Sequence, residues 1–148
     1  MLKIPILPDL HTSILGMAAG ILLGLSPASA GGQSLPPINE ERYINQLLLS
    51  AAIGEAIRRN CGTISARLFL AFRKALALER YALDLGYSKA EVKAFISSKA
   101  EKQRMKDEVI VYLIANGVVE GQENTFCALG RAEIANNSLT GQLLRSWR

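Results

Sequence analysis

The two cysteines, Cys61 and Cys127, lie 66 residues apart, and what they can do depends on what precedes them. Residues 14–25 (ILGMAAGILLGL) form an uncharged apolar run. As a helix, twelve residues rise about 18 Å, too short for a hydrocarbon core about 30 Å thick. Before the run, Lys3 and the amino terminus stand against Asp9; after it, Ala28-Ser29-Ala30 is the small-x-small pattern that a signal peptidase reads. The expectation is a signal peptide over residues 1–30, cleaved after Ala30, with an uncleaved membrane anchor as the alternative. Export would place both cysteines in an oxidising periplasm, where an even count in a small domain reads as a disulfide. Closing that loop contributes roughly 4 kcal/mol in the chain-entropy model. The competing reading, a redox-active pair, lacks a Cys-x-x-Cys and a histidine to depress a thiol pKa.

The one histidine, His11, falls in the segment expected to be removed. A mature chain without histidine excludes a Ser-His-Asp triad, a Cys-His nucleophile pair, His-ligated metal and axial-His haem. No acidic cluster has calcium-loop spacing, and bridged cysteines are not ligands, so neither a metal nor a cofactor is expected. The 148 residues are 49% hydrophobic, enough for one domain with a core of its own. The net charge of +4 is too small to argue by itself for a polyanion partner. Residues 31–37 (GGQSLPP) read as a flexible lead that orders where the first helix begins, and residues 38–148 as a single helical domain.

The domain reads as helices broken by short turns. The first runs to about Arg59, capped by Asn39, with Glu40 and Glu41 in its first turn. Its middle is apolar nearly all the way round, which places it at the centre. Cys61-Gly62 is a turn, and Thr63 or Ser65 caps a second helix reaching Leu85. Ile64, Leu68, Phe72, Leu76 and Leu83 are its expected buried stripe. Gly86 is a left-handed C-cap, and Ser88 with Glu91 makes a capping box. A third helical stretch covers residues 89–116, with a break near Ser97-Ser98, a solvated charged middle and an apolar end from Val109 to Ala115 dipping into the core. A fourth, over 123–136, sets Phe126, Leu129, Gly130 and Glu133 on one face, Gly130 permitting close approach to another backbone. A short helix over 139–146 closes the chain. No alternating pattern suggests strands. The expected fold is therefore all-α, a compact bundle of four to five helices tied by one disulfide.

Several blocks carry a family resemblance: NCGTISARL (60–68), LGYSKAEVKAFI (85–96), YLIANGV (112–118), and FCALGRAEIANNS (126–138) followed by GQLLR. In these the chain resembles an uncharacterised family of small exported alphaproteobacterial proteins, a domain of unknown function from the Rhodobacter and Roseobacter group. The resemblance implies a helical, exported, disulfide-linked domain and supplies no catalytic residue.

Three carboxylates fall on faces expected to be buried: Glu55, Glu79 and Glu133. As a pair with separated pKa values two of them could do glycosidase-type acid–base work. The alternative is a buried charge network in which Arg67, Arg73 or Arg131 satisfies each carboxylate. Arg58, Arg59, Arg67, Arg73 and Lys74 read as a solvated basic face. No aromatic platform accompanies them, so no nucleic acid is expected. The tail, with Arg145, Trp147 and Arg148, either folds back on the bundle or forms an interaction surface, including peripheral contact with a membrane. These features favour a non-catalytic periplasmic binding protein, an accessory or assembly factor with a protein partner in the cell envelope. A stress chaperone and a carboxylate-dependent hydrolase are the alternatives.

Overall fold

The computed structural model describes residues 35–147. The expected signal peptide over 1–30, its cleavage site, the start of the lead and Arg148 lie outside the described residues. Leu35 to Pro37 are already fixed: the Tyr87 hydroxyl donates to the Pro36 carbonyl at 2.6 Å. A 3₁₀ turn, Ile38–Glu40, leads into α1, Arg42–Asn60. Glu41, rather than Asn39, caps α1, its carboxylate accepting from the Ile44 amide at 2.6 Å. A carboxylate three residues before a free helix amide satisfies that donor as well as an asparagine would, and adds charge at the positive end of the dipole.

α1 occupies the centre, as its apolar girth demands. It packs against α4 (Lys99–Ala115), α5 (Glu123–Ala135) and α6 (Leu139–Gln142), and touches α2 (Leu68–Leu85) along a flank. Ile53 and Ile57 of α1 meet Val109 of α4 and Phe126, Cys127 and Leu129 of α5 in one buried cluster. A second cluster, Ile38, Ile44, Ala82 and Tyr87, joins the start of α1 to the end of α2, with Val92 and Phe95 of α3 (Lys89–Ser97) against it. Gly86 takes φ +110° at the end of α2, its amide donating to the Leu83 carbonyl. The Ser88–Glu91 capping box opens α3. Ser98 separates α3 from α4 and caps α4 through the Glu101 amide, so the break falls where it was expected, near Ser97-Ser98.

Three expectations require correction. First, the fold is mostly helical but not all-α. Residues Ile64–Ala66 form β1 and Leu144–Ser146 form β2, an antiparallel ribbon with Ser65 opposite Arg145. Residues 63–66 therefore do not begin α2, and the last helix stops at Gln142. Each strand is too short to show alternation, and its backbone groups are satisfied by a segment about eighty residues away, a pairing no local pattern announces. Second, the stripe Leu68, Phe72, Leu76 does not face the core. α2 meets α1 instead through the arc carrying Ala71, Leu78 and Ala82. Of the expected stripe Ile64 is buried, but in β1. Third, at the end of α4 only Val109 is buried, with Tyr112 and Leu113 half-buried, while Ile110, Val111 and Ile114 face outward. The charged middle of α4 is also more than a solvated face. Arg104 pairs with Glu101 and Glu108 on its own helix and donates to the Asn45 side chain at 2.8 Å, fastening α4 to α1.

Candidate binding surface

The outward face of α2 follows from helical geometry. Leu68, Phe69, Phe72 and Leu76 fall within about 100° of arc at 100° per residue, and none is covered. Leu68 is 75% exposed, Phe69 76% and Phe72 62%. Single exposed apolar residues are ordinary, but a contiguous apolar strip on a folded domain marks an interaction surface. Cations border the strip. Arg73 lies over the Phe69 ring at 5.9 Å, and Arg67 and Arg80 are exposed on the same helix and its cap. Burying three such side chains in a partner is worth roughly 1.5–3 kcal/mol each.

The chain enters α2 directly from β1, and the C-terminal tail lies on that strand. The Trp147 amide donates to the Thr63 carbonyl at 2.8 Å. Its indole N–H donates to Ser65 Oγ at 2.8 Å, and Arg145 sits 4.4 Å from the ring centroid. The tail backbone thus folds back, yet Trp147 remains 55% exposed. An aromatic ring held by one hydrogen bond and a stacked guanidinium, on a backbone that is itself paired, is already ordered, so contact with it loses little side-chain entropy.

The three carboxylates are not brought together. Glu79 is exposed on α2. Glu55 is half-exposed on α1 and pairs with Arg58 at 2.7 Å and Arg59 at 2.6 Å. Hydrogen bonds from Arg58 and then Arg59 lower its pKa to about 2. Only Glu133 is buried, and its donors are not arginines: the Tyr112 and Ser138 hydroxyls both donate to it. Burial first, and then the bond to Glu133, push the Tyr112 phenol up to about 12, so it stays a donor. Arg67 instead donates to the Gln142 carbonyl at 3.3 Å, and Arg131 is exposed. The expected buried network of Glu55, Glu79, Glu133, Arg67 and Arg131 is therefore absent among the described residues. Glu133 is a joint between α4, α5 and α6, with each oxygen already engaged. Cys61 and Cys127 stand at disulfide distance, Cα–Cα 5.2 Å, joining the end of α1 to α5. Glu123 lies beside them, accepting from the Gly62 amide at 2.8 Å. With both sulfurs bridged, this trio is a structural clasp rather than a ligand set.

A family model described as a family of unknown function, DUF5333, matches residues 36–145. The chain belongs to DUF5333. No curated protein and no solved structure matches it. The DUF5333 match takes in the cysteine pair, the six α-helices of the described residues and the exposed strip of α2.

Sequence reasoning missed Phe69, Asn45, Tyr112 and Ser138 in this DUF5333 chain. Phe69 left a readable signal. Leu68-Phe69 and Phe72 together with Ala71, Leu78 and Ala82 spread apolar residues over about 180° of α2, more than one neighbouring helix can cover. Tyr112 and Ser138 left none, because their partner Glu133 is 21 and 5 residues away on a different face.

Proposed function

We propose that this chain is an exported, non-catalytic binding protein of the cell envelope, an accessory or assembly factor of the alphaproteobacterial kind that its sequence blocks resemble. The observation that carries the reading is the uncovered strip of Leu68, Phe69 and Phe72 bordered by arginines. Its occupant is a partner protein presenting an apolar strip edged by carboxylates, since opposite charge at the rim steers docking and fixes register. A second copy of this chain fits less well, because two copies would bring arginine rims of like sign together. Export, with cleavage after Ala30, is supported by the apolar run and small-x-small site, and a cysteine pair at disulfide distance suits an oxidising compartment.

The test is photo-crosslinking in growing cells, with a photoreactive phenylalanine analogue at position 72 and a control at Lys102 on the charged side of α4. The reading expects an adduct of one partner protein from position 72, absent from position 102 and lost on Phe69→Asp. A homodimer adduct, a lipid adduct alone, or the same adducts from both positions overturns it.

A further inference from the structure

A separate feature lies on the other side of Leu76: a groove of about 610 Å³ between the start of α1, α2 and α3. That volume is in the range of small-ligand sites. Its walls are apolar, mostly aliphatic with Phe95 among them, and the polar side chains among its lining are Glu79, Lys89, Lys93 and Ser97. A groove with so few hydrogen-bonding groups has little to orient a polar body, and it suits an alkyl chain. Lys89 and Lys93 are one turn apart on α3, so their ammonium groups share a side of the groove. Both are exposed, and among the described residues neither pairs with a carboxylate within 4.0 Å. The capping box of Ser88 and Glu91 occupies the end of α3 itself, which leaves these two lysines as the positive charge at the groove. Glu79 stands on the α2 wall and repels an anion from that side.

We propose that this groove binds a long-chain fatty acid, its alkyl chain between α1, α2 and α3 and its carboxylate at Lys89 and Lys93. The apolar walls account for the tail and the two lysines for the sign of the head group. The groove uses α3 and no part of Leu68, Phe69 or Phe72, and it shares with the outward strip of α2 only Leu76.

The test is fluorescence titration of the full chain with cis-parinaric acid, whose emission rises in apolar surroundings, followed by competition with palmitate, hexadecan-1-ol and hexadecyltrimethylammonium. The expected result is saturable binding at one site per chain. Palmitate displaces the probe, and the neutral and cationic amphiphiles do so at least about tenfold more weakly, the scale of a lost charge-assisted hydrogen bond. Lys89→Glu with Lys93→Glu weakens binding by about tenfold or more. Ala75→Trp fills the groove and abolishes binding. Should that variant fail to fold by circular dichroism, Ile96→Glu, at an exposed wall position, must weaken binding instead. Absence of saturable binding, equal displacement by all three amphiphiles, or unchanged affinity in the variants overturns the proposal.

Discussion

Gly130 of α5 faces Ile57 of α1 so closely that a Cβ at position 130 would stand 2.7 Å from Ile57 Cγ2. Ile64 of β1 presses on the same point. The contact lies in the main core, one turn from Cys127, so the helix crossing and the cysteine pair fix each other. The approach expected at Gly130 is real, although what fills the space is side-chain methyls rather than a backbone. Gly130→Ala should therefore destabilise the domain by about 1–3 kcal/mol, the cost of overpacking a close-packed core. Urea unfolding of the variant gives the measurement, and an unchanged midpoint would show that Ile57 and Ile64 can yield.

Gly141 of α6 is tighter still, because its neighbour is the Glu133 carbonyl, a backbone atom that cannot turn aside. Gly141→Ala should cost more than Gly130→Ala, about 3 kcal/mol or above. The ordering of the two variants, read from thermal unfolding, checks the packing of α6 on α5.

Replacing Cys61 and Cys127 together by alanine should lower stability by roughly 4 kcal/mol. Reductant should produce a similar loss in the unsubstituted chain and none in the double variant. A variant as stable as the parent would separate the cysteine pair from the stability of the domain.

Tyr112→Phe removes one of two hydroxyl donors from the buried Glu133. Leaving a buried carboxylate short of a donor costs about 1–3 kcal/mol. Glu133→Gln keeps an acceptor for one hydroxyl, and its NH2 can donate to the other once that hydroxyl turns, so it should be the milder change. The reverse order, by urea unfolding, would mean that the carboxylate charge rather than its hydrogen bonds holds α4, α5 and α6 together.

Glu55 tests the ion pairs of α1. Its folded-state pKa is depressed to about 2 from 4.5, chiefly by the Arg58 hydrogen bond. A depressed carboxylate contributes stability above its unfolded value and loses it as pH falls through the folded one. Because the group is half-exposed, solvent screening reduces the contribution to about 0.5 kcal/mol. Glu55→Gln should therefore trail the parent slightly at pH 7 and converge with it between 4.5 and about 2. A constant gap across that window would assign the difference to packing.

What the sequence revealed was local. Ser88-Lys89-Ala90-Glu91 carries both partners of a capping box within four residues, and Gly86 before it needs only its own φ. The girth of α1 announced a central helix because no amphipathic stripe could hold it at a surface. What stayed hidden depends on partners far along the chain. Ser65 pairs with Arg145 across 80 residues, so residues 64–66 read as a helix start when they are strand. The stripe from Leu68 to Leu76 showed that α2 is amphipathic but not which arc meets α1; that arc carries Ala71, Leu78 and Ala82. Glu55, Glu79 and Glu133 looked alike by position, and only the crossing of α4, α5 and α6 separates the buried one from the other two.

The central claim, that the outward strip of α2 serves a partner rather than the fold, meets its most direct test in one variant measured two ways. Leu68→Ser and Phe69→Ser, introduced together, should leave the urea midpoint close to the parent's, since exposed positions change stability by about 0.5 kcal/mol or less each. The same variant, carrying the photoreactive analogue at position 72, should lose the crosslink to the proposed partner protein. A variant that unfolds, or one that stays folded and keeps its partner, would contradict the assignment of this face.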